Sequence, residues 1–214
     1  KVLRTKSRPI ASEKISVKLG FFYIVVLCLL ALLVLLQFNK STIILGLASM
    51  PLAFSYPYMK RLTYWPQLFL GITFNYGLLI GWTSIQENLS LIPIIFYIGA
   101  IFWTLGYDTI YGYQDIKDDE IIGIKSTSIK FKNNPKKILI ICYSLFLISL
   151  FYVGILMNFK NIYFCSLIIP LIHLLFYQIR TLNINNSRLC LKIFRSNNFL
   201  GFIIFSNIII GKLI

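Results

Sequence analysis

Five of the seven acidic residues in this chain fall in one short stretch: Asp108, Asp115, Asp118, Asp119 and Glu120. Carboxylates this dense, without histidine or cysteine among them, suit a hard divalent cation, and an oxygen-only donor set favours Mg²⁺ over zinc or copper. Mg²⁺ ordinarily takes one or two carboxylates and completes its shell with substrate phosphates. On a continuous helix at about 100° per residue, Asp115 and Asp119 fall about 20° to either side of Asp108, so these three form one narrow stripe. Asp118 lies about 80° away, Lys117 points roughly opposite, and Tyr111 borders the stripe. Like charges spaced i,i+4 cost a helix about 0.3 kcal/mol, and acids at its C-terminal end oppose the macrodipole. A bound cation reverses both penalties. The plainer alternative is a solvated acidic loop paired with nearby lysines, and for Asp118 and Glu120 it stands level.

Basic residues recur close to these acids in the chain's organisation. Lys60 and Arg61 end one apolar run, Lys125 follows Gly123 just beyond the acids, and Arg4 and Arg8 occupy the opening segment. Arginine suits bidentate phosphate contacts and lysine acts as a point charge. Singly, each reads equally well as an orienting charge or a contact to anionic lipid. Together with the carboxylates they read as a diphosphate site.

The elements that must position these groups are membrane helices. The chain has 214 residues, 57% hydrophobic and only 13% charged, against about 25% charged in soluble domains. Its mean hydropathy is +0.77. Seven runs are long enough to cross a bilayer: 17–36, 42–59, 66–84, 91–114, 136–157, 162–179 and 197–214. Asn39, Pro66 and Asn133-Asn134-Pro135 punctuate them, and Pro51 with Pro57 should kink the second. The net charge of +14 raises the thought of nucleic acid, but the basic residues lie between apolar runs, so no nucleic-acid partner is expected. Segments 1–18, 60–65, 115–137 and 180–196 hold 18 of the 21 Lys and Arg, and the loops of the other side hold three. The positive-inside rule therefore makes the acid-bearing side cytoplasmic, with the first residue inside and the last outside. The four cysteines match no metal or redox spacing. His173 lies inside an apolar run and is expected to pack rather than react.

The stretch Asp108-Thr-Ile-Tyr111-Gly-Tyr-Gln-Asp115-Ile-Lys-Asp118-Asp119, running on through Gly123 and Lys125-Ser126-Thr127, resembles the second Asp-rich motif of UbiA-type intramembrane prenyltransferases. Tyr56-Pro57-Tyr58-Met59-Lys60-Arg61-Leu62-Thr63 with Pro66-Gln67 resembles a loop of the branch that prenylates 4-hydroxybenzoate. Arg4-Thr5-Lys6-Ser7-Arg8-Pro9-Ile10 resembles the segment after the family's first Asp-rich motif, and Asn197-Asn198-Phe199-Leu200-Gly201 also looks like that branch.

The resemblance covers the whole chain. It implies an all-α polytopic transmembrane bundle in which the seven spans are helices three to nine of nine. It further implies one domain, 1–214, without its first two helices and first Asp-rich motif, so the chain alone is expected to be impaired or to need a separate N-terminal fragment. The implied reaction moves a polyprenyl group from its diphosphate to the ring of 4-hydroxybenzoate, in ubiquinone biosynthesis. Asp108, Asp115 and Asp119 would bind Mg²⁺, with Asp118 as a further candidate, and Lys60, Arg61, Lys125, Arg4, Arg8 and Tyr111 would bind the diphosphate. The abundance of Ile, Asn and Lys points to a bacterial inner (plasma) membrane. The alternatives are a prenyltransferase for a naphthoate, haem or lipid acceptor, an inactive remnant, and an ion-coupled transporter. Transporters usually bind near the midplane and carry internal repeats; here the acids lie at one face and no repeat is evident.

Overall fold

Seven helices among the described residues are long and apolar enough to cross a membrane, which bears out the hydropathy count. The computed structural model describes residues 8–213, and for Lys117 the backbone alone. Helix α1 is Val17–Leu35, α2 is Lys40–Leu62, and α3 (Pro66–Asn75) with α4 (Gly77–Gln86) makes the third span. Helix α5 is Leu91–Gly112, followed by the short α6 (Ile116–Ile122) and α7 (Thr127–Lys130). Helices α8 (Pro135–Leu156), α9 (Asn161–Thr181) and α10 (Ser187–Leu213) complete the bundle. No strand occurs among the described residues.

The expected punctuation marks the helix ends. Asn39 caps α2, its side chain accepting a hydrogen bond from the Thr42 amide at 3.0 Å. Pro66 and Pro135 stand in the first turns of α3 and α8, where no amide proton is required. Helix α2 runs on through Pro51 and Pro57.

Two irregularities are invisible to hydropathy. The third span breaks at Tyr76, and the Asn75 side-chain Nδ2 donates to the Gly71 carbonyl at 2.8 Å and to the Thr104 hydroxyl at 2.8 Å. The Tyr97 hydroxyl donates to the Ile72 carbonyl at 2.7 Å. Helix α9 contains a π-helical stretch, Ile172–Gln178. Side chains from neighbouring helices thus supply partners at a break that lipid could not satisfy.

Helix α5 is the centre of the bundle, and α8 lies hard against it. A Cβ at Gly99 would collide with the Ser149 side chain, and one at Gly106 with the Tyr143 ring, so only glycine permits this approach. A polar chain crosses the interior here. The Tyr143 hydroxyl donates to Gln178 at 2.6 Å, Gln178 donates to the Asn197 side-chain oxygen at 3.0 Å, and the Trp103 indole donates to that oxygen at 2.9 Å. Left unpaired in hydrocarbon, each such group would cost several kcal/mol, so the chain specifies how α5, α8, α9 and α10 register. His173 packs as expected, against the Tyr177 ring, with its Nε2 3.0 Å from the Ser196 hydroxyl. All four cysteines are free thiols.

Candidate functional site

The acids gather at the Lys- and Arg-rich end of the bundle, but not on one helix. Helix α5 stops at Gly112, and a tight turn follows in which the amides of Tyr113, Gln114 and Asp115 donate to the carbonyls of Ile110, Tyr111 and Gly112 at 3.3, 3.1 and 3.2 Å. Asp115 then opens α6 with φ −108° and ψ 7°. The continuous helix from Asp108 to Asp119, and the angular stripe drawn on it, are therefore corrected. The electrostatic argument changes sign with that correction. Asp118 and Asp119 stand in the first turn of α6, where negative charge favours the helix dipole, rather than at the end of α5. Helix α6 ends at Gly123, whose φ of 76° is the left-handed conformation that glycine adopts without strain. Asp119 is buried and its carbonyl accepts the Ile124 amide at 2.9 Å.

Asp108 remains on α5, half-buried, one turn before the helix ends. Helix α2 supplies its surroundings. Tyr56 and Lys60 are four residues apart, on one face, and both interact electrostatically with the Asp108 carboxylate. Tyr56 had no assigned role in the sequence reading; its spacing from Lys60 was the available signal.

Lys125 is brought to the same place. Its amide donates to the Lys60 carbonyl at 2.9 Å, its ammonium lies 3.4 Å from the Leu62 carbonyl, and it stands 5.6 Å from the centre of the Tyr64 ring. Lys125 thus caps the C-terminal end of α2 as well as adding charge to the site. Arg61 and Arg8 are exposed, and no described contact joins either to the acids. Arg4 lies outside the described residues. The Tyr111 ring packs on Phe194 at 4.6 Å. Glu120 pairs with Lys132 at 2.6 Å, with both side chains partly in solvent, so it takes the solvated reading.

A second set of contacts, missed in the sequence, fixes the segment that carries α6. The Gln67 side chain, only 4% exposed, accepts the Thr127 amide at 2.9 Å. Thr127 and Thr109 share a hydroxyl contact of 2.7 Å, and the Ser128 hydroxyl donates to the Thr109 carbonyl at 2.8 Å. These bonds tie the α6–α7 segment to α3 and α5, so the acids of α6 are held against the bundle rather than on a free loop.

Oxygen donors at this end fit a Mg²⁺ ion only in the form that borrows substrate. Among the described residues, no three of the His, Cys, Asp and Glu side chains gather as a group able to hold a metal alone. One or two carboxylates with phosphate oxygens would complete a shell.

Three comparisons bear on the chain. The sequence profile of the UbiA prenyltransferase family matches residues 1–205. The mitochondrial 4-hydroxybenzoate polyprenyltransferase of Bos taurus is 44% identical over all of the chain, which spans 57% of that protein. The mitochondrial 4-hydroxybenzoate polyprenyltransferase of Homo sapiens is 42% identical, with the same 57% spanned. The 4-hydroxybenzoate geranyltransferase 2 of Lithospermum erythrorhizon is 41% identical over 217 residues, with 70% spanned. The chain therefore spans about half the length of the mitochondrial relatives it matches. The apo structure of a UbiA homologue from Aeropyrum pernix K1 superposes with a TM-score of 0.81 at 20% identity, covering 99% of this chain and 79% of that one. That likeness carries the fold.

Proposed function

The chain belongs to the UbiA prenyltransferase family, and from that premise we propose that the protein transfers a polyprenyl group from its diphosphate to 4-hydroxybenzoate in ubiquinone biosynthesis. The observation that carries the reading is the 2.9 Å bond from the Lys125 amide to the Lys60 carbonyl, which brings the segment just after the α6 acids to the end of α2, whose Tyr56 and Lys60 lie near enough to Asp108 to feel its charge. The names of the bovine, human and plant relatives supply the acceptor.

In the proposed site one or two of Asp108, Asp115 and Asp119, with Asp118 adjacent, would hold Mg²⁺ together with diphosphate oxygens. Lys60 and Lys125 bind diphosphate oxygens as point charges, and Arg61, Arg4, Arg8 and Tyr111 complete the anion's surroundings. Bound Mg²⁺ supplies neutralisation of the leaving group's charge. The allylic C–O bond breaks, and its electron pair leaves on the diphosphate. A ring π pair of the acceptor, ortho to the phenol, forms the new C–C bond. The proton on that carbon passes to the released diphosphate and aromaticity returns.

The bacterial inner membrane expected from composition finds no support in the relatives' names, two of which say mitochondrial. The charge split still favours the acid-bearing end facing the basic-loop side, bacterial cytoplasm or mitochondrial matrix. Cysteine labelling in sealed membranes checks this. Lys125→Cys should react from that side and Lys160→Cys only from the other; labelling of both from one side would overturn the topology.

The acceptor is tested by competition. The full-length protein, offered equal 4-hydroxybenzoate and dihydroxynaphthoate, should prenylate the benzoate at least about a hundredfold faster, since a site built for one ring's polar groups discriminates strongly. Preference for the naphthoate would move the protein to another branch of the family.

A further inference from the structure

A cavity of about 580 Å³ opens at the start of α8, lined by Asn133, Asn134, Lys136, Lys137, Ile140 and Ile141 among others. None of these residues belongs to the acid-bearing site. Segment 130–137 carries four lysines, and they divide into two kinds. The Lys130 ammonium stands 4.4 Å from the centre of the Trp65 ring, and Lys132 pairs with Glu120. Lys136 and Lys137 are exposed, and among the described residues neither has an ion pair. The two lysines that line the cavity are therefore the two whose charge is unmatched.

The face of α8 that leads away from these lysines is apolar and open. Ile140 lies one turn beyond Lys136, and Ile141 one turn beyond Lys137. Further along, Leu145, Ile148 and Tyr152 keep to the same face. At about 100° per residue they and Ile141 all fall within about 80° of Lys137 around the helix. Ile141, Ile148 and Tyr152 are each about half exposed. Leu145, Ile148 and Tyr152 also line a groove of about 310 Å³ against Ile98 and Phe102 of α5. Gly99 and Ser149, where α5 and α8 touch, lie in the same groove. From Lys137 to Ile148 the helix rises about 17 Å, roughly half of the ~30 Å hydrocarbon core. Cations and groove together thus have the reach of one leaflet.

We infer that this face of α8 binds an acidic phospholipid of the leaflet on the basic-loop side, with its phosphate at Lys136 and Lys137 and one acyl chain in the α5–α8 groove. Charge and continuity select that occupant. A neutral lipid leaves both cations of the cavity unmatched, and a free anion leaves the groove unfilled. Exposure of the two lysines suits a headgroup, which stays at the wet rim of the bilayer while the stems and isoleucines meet the chain. Asn133 and Asn134 add amide donors for phosphate oxygens at the cavity's edge. The site stands apart from the acids and does not depend on the reaction proposed for them.

The test places the full-length protein in nanodiscs of phosphatidylcholine with a minor share of phosphatidylglycerol, and native mass spectrometry counts the lipids it retains. Wild type should retain phosphatidylglycerol about tenfold above its share of the disc. Lys136→Gln combined with Lys137→Gln should lower that preference about tenfold, since each lysine near a membrane surface attracts anionic lipid. Lys160→Gln combined with Lys212→Gln removes the same charge from the opposite end and should leave the preference within about twofold. Leu145→Trp, which fills the groove with both lysines intact, should lower retention about threefold or more. Equal preference in the two double variants overturns the site. Displacement of the lipid by millimolar inorganic phosphate would reduce it to a bare anion contact, and displacement by equimolar prenyl diphosphate would give the groove to the substrate; either overturns the proposal. If the Lys136 and Lys137 double variant does not accumulate, Leu145→Trp decides alone, and unchanged retention overturns the proposal.

Discussion

Asp115→Asn in the full-length protein should lower kcat for prenyl transfer by about a thousandfold, with normal accumulation in membranes. Removing one preorganised stabiliser of developing charge costs about 10²–10³ in rate, and each 1.36 kcal/mol lost is a factor of ten. The loss should not come from unfolding. Asp115 enters α6 through backbone bonds, its amide to Gly112 and its carbonyl to the Asp119 amide at 2.9 Å, and asparagine keeps both. Asparagine is also a favoured residue at a helix start. Turnover within about twofold of wild type, at equal protein level, would remove Asp115 from the site.

The second large effect belongs to α2. Lys60→Ala should cut kcat/KM for prenyl diphosphate by about a hundredfold, or about 2.7 kcal/mol of transition-state stabilisation. Lys60 stands in the last turn of α2 with its charge acting on Asp108, and its carbonyl receives the Lys125 amide. The carbonyl survives substitution, so the Lys125 contact persists and the effect reports the ammonium. Lys60→Arg should retain more activity than Lys60→Ala, since it keeps the charge but changes its shape. Steady-state kinetics with saturating acceptor read both. An unaltered kcat/KM for Lys60→Ala would place the diphosphate elsewhere.

The spans were legible because lipid imposes a simple rule. Twenty apolar residues make a helix, and Asn39, Pro66 and Pro135 end the runs by local chemistry that needs no tertiary partner. The break at Tyr76 and the π stretch Ile172–Gln178 were not legible, because their backbone groups and polar side chains are satisfied from other helices: Asn75 reaches Thr104, and Gln178 reaches Asn197. No window of one segment contains that information. A polar residue inside an apolar run was the only trace, and Asn75, Gln178 and Asn197 each left it.

The site divides in the same way. That Asp108, Lys60 and Lys125 share one end followed from counting spans and charges. That Tyr56 joins them was legible in its four-residue spacing from Lys60. Where Asp115 and Asp119 point did not follow, because the projection assumed a helix that stops at Gly112. Gly112 itself offered the warning: a Cβ there would strike the Ser128 side chain, so the glycine marks where the chain must approach the α7 segment and turn. Arg8 and Arg61 share the side of the acids and are exposed, and no described contact joins either to them, so their part in the site rests on charge and position alone.

In the proposed reaction this family member joins a prenyl diphosphate to 4-hydroxybenzoate at its acid-bearing end. The most direct measurement is incorporation of radiolabelled 4-hydroxybenzoate into lipid-extractable product, using membranes that lack the endogenous enzyme and contain the full-length protein. Label should appear only when polyprenyl diphosphate and Mg²⁺ are both supplied, disappear with EDTA, and fall to background in Asp108→Asn. Label that accumulates equally with EDTA, or undiminished in Asp108→Asn, would rule out metal-dependent transfer at the acids.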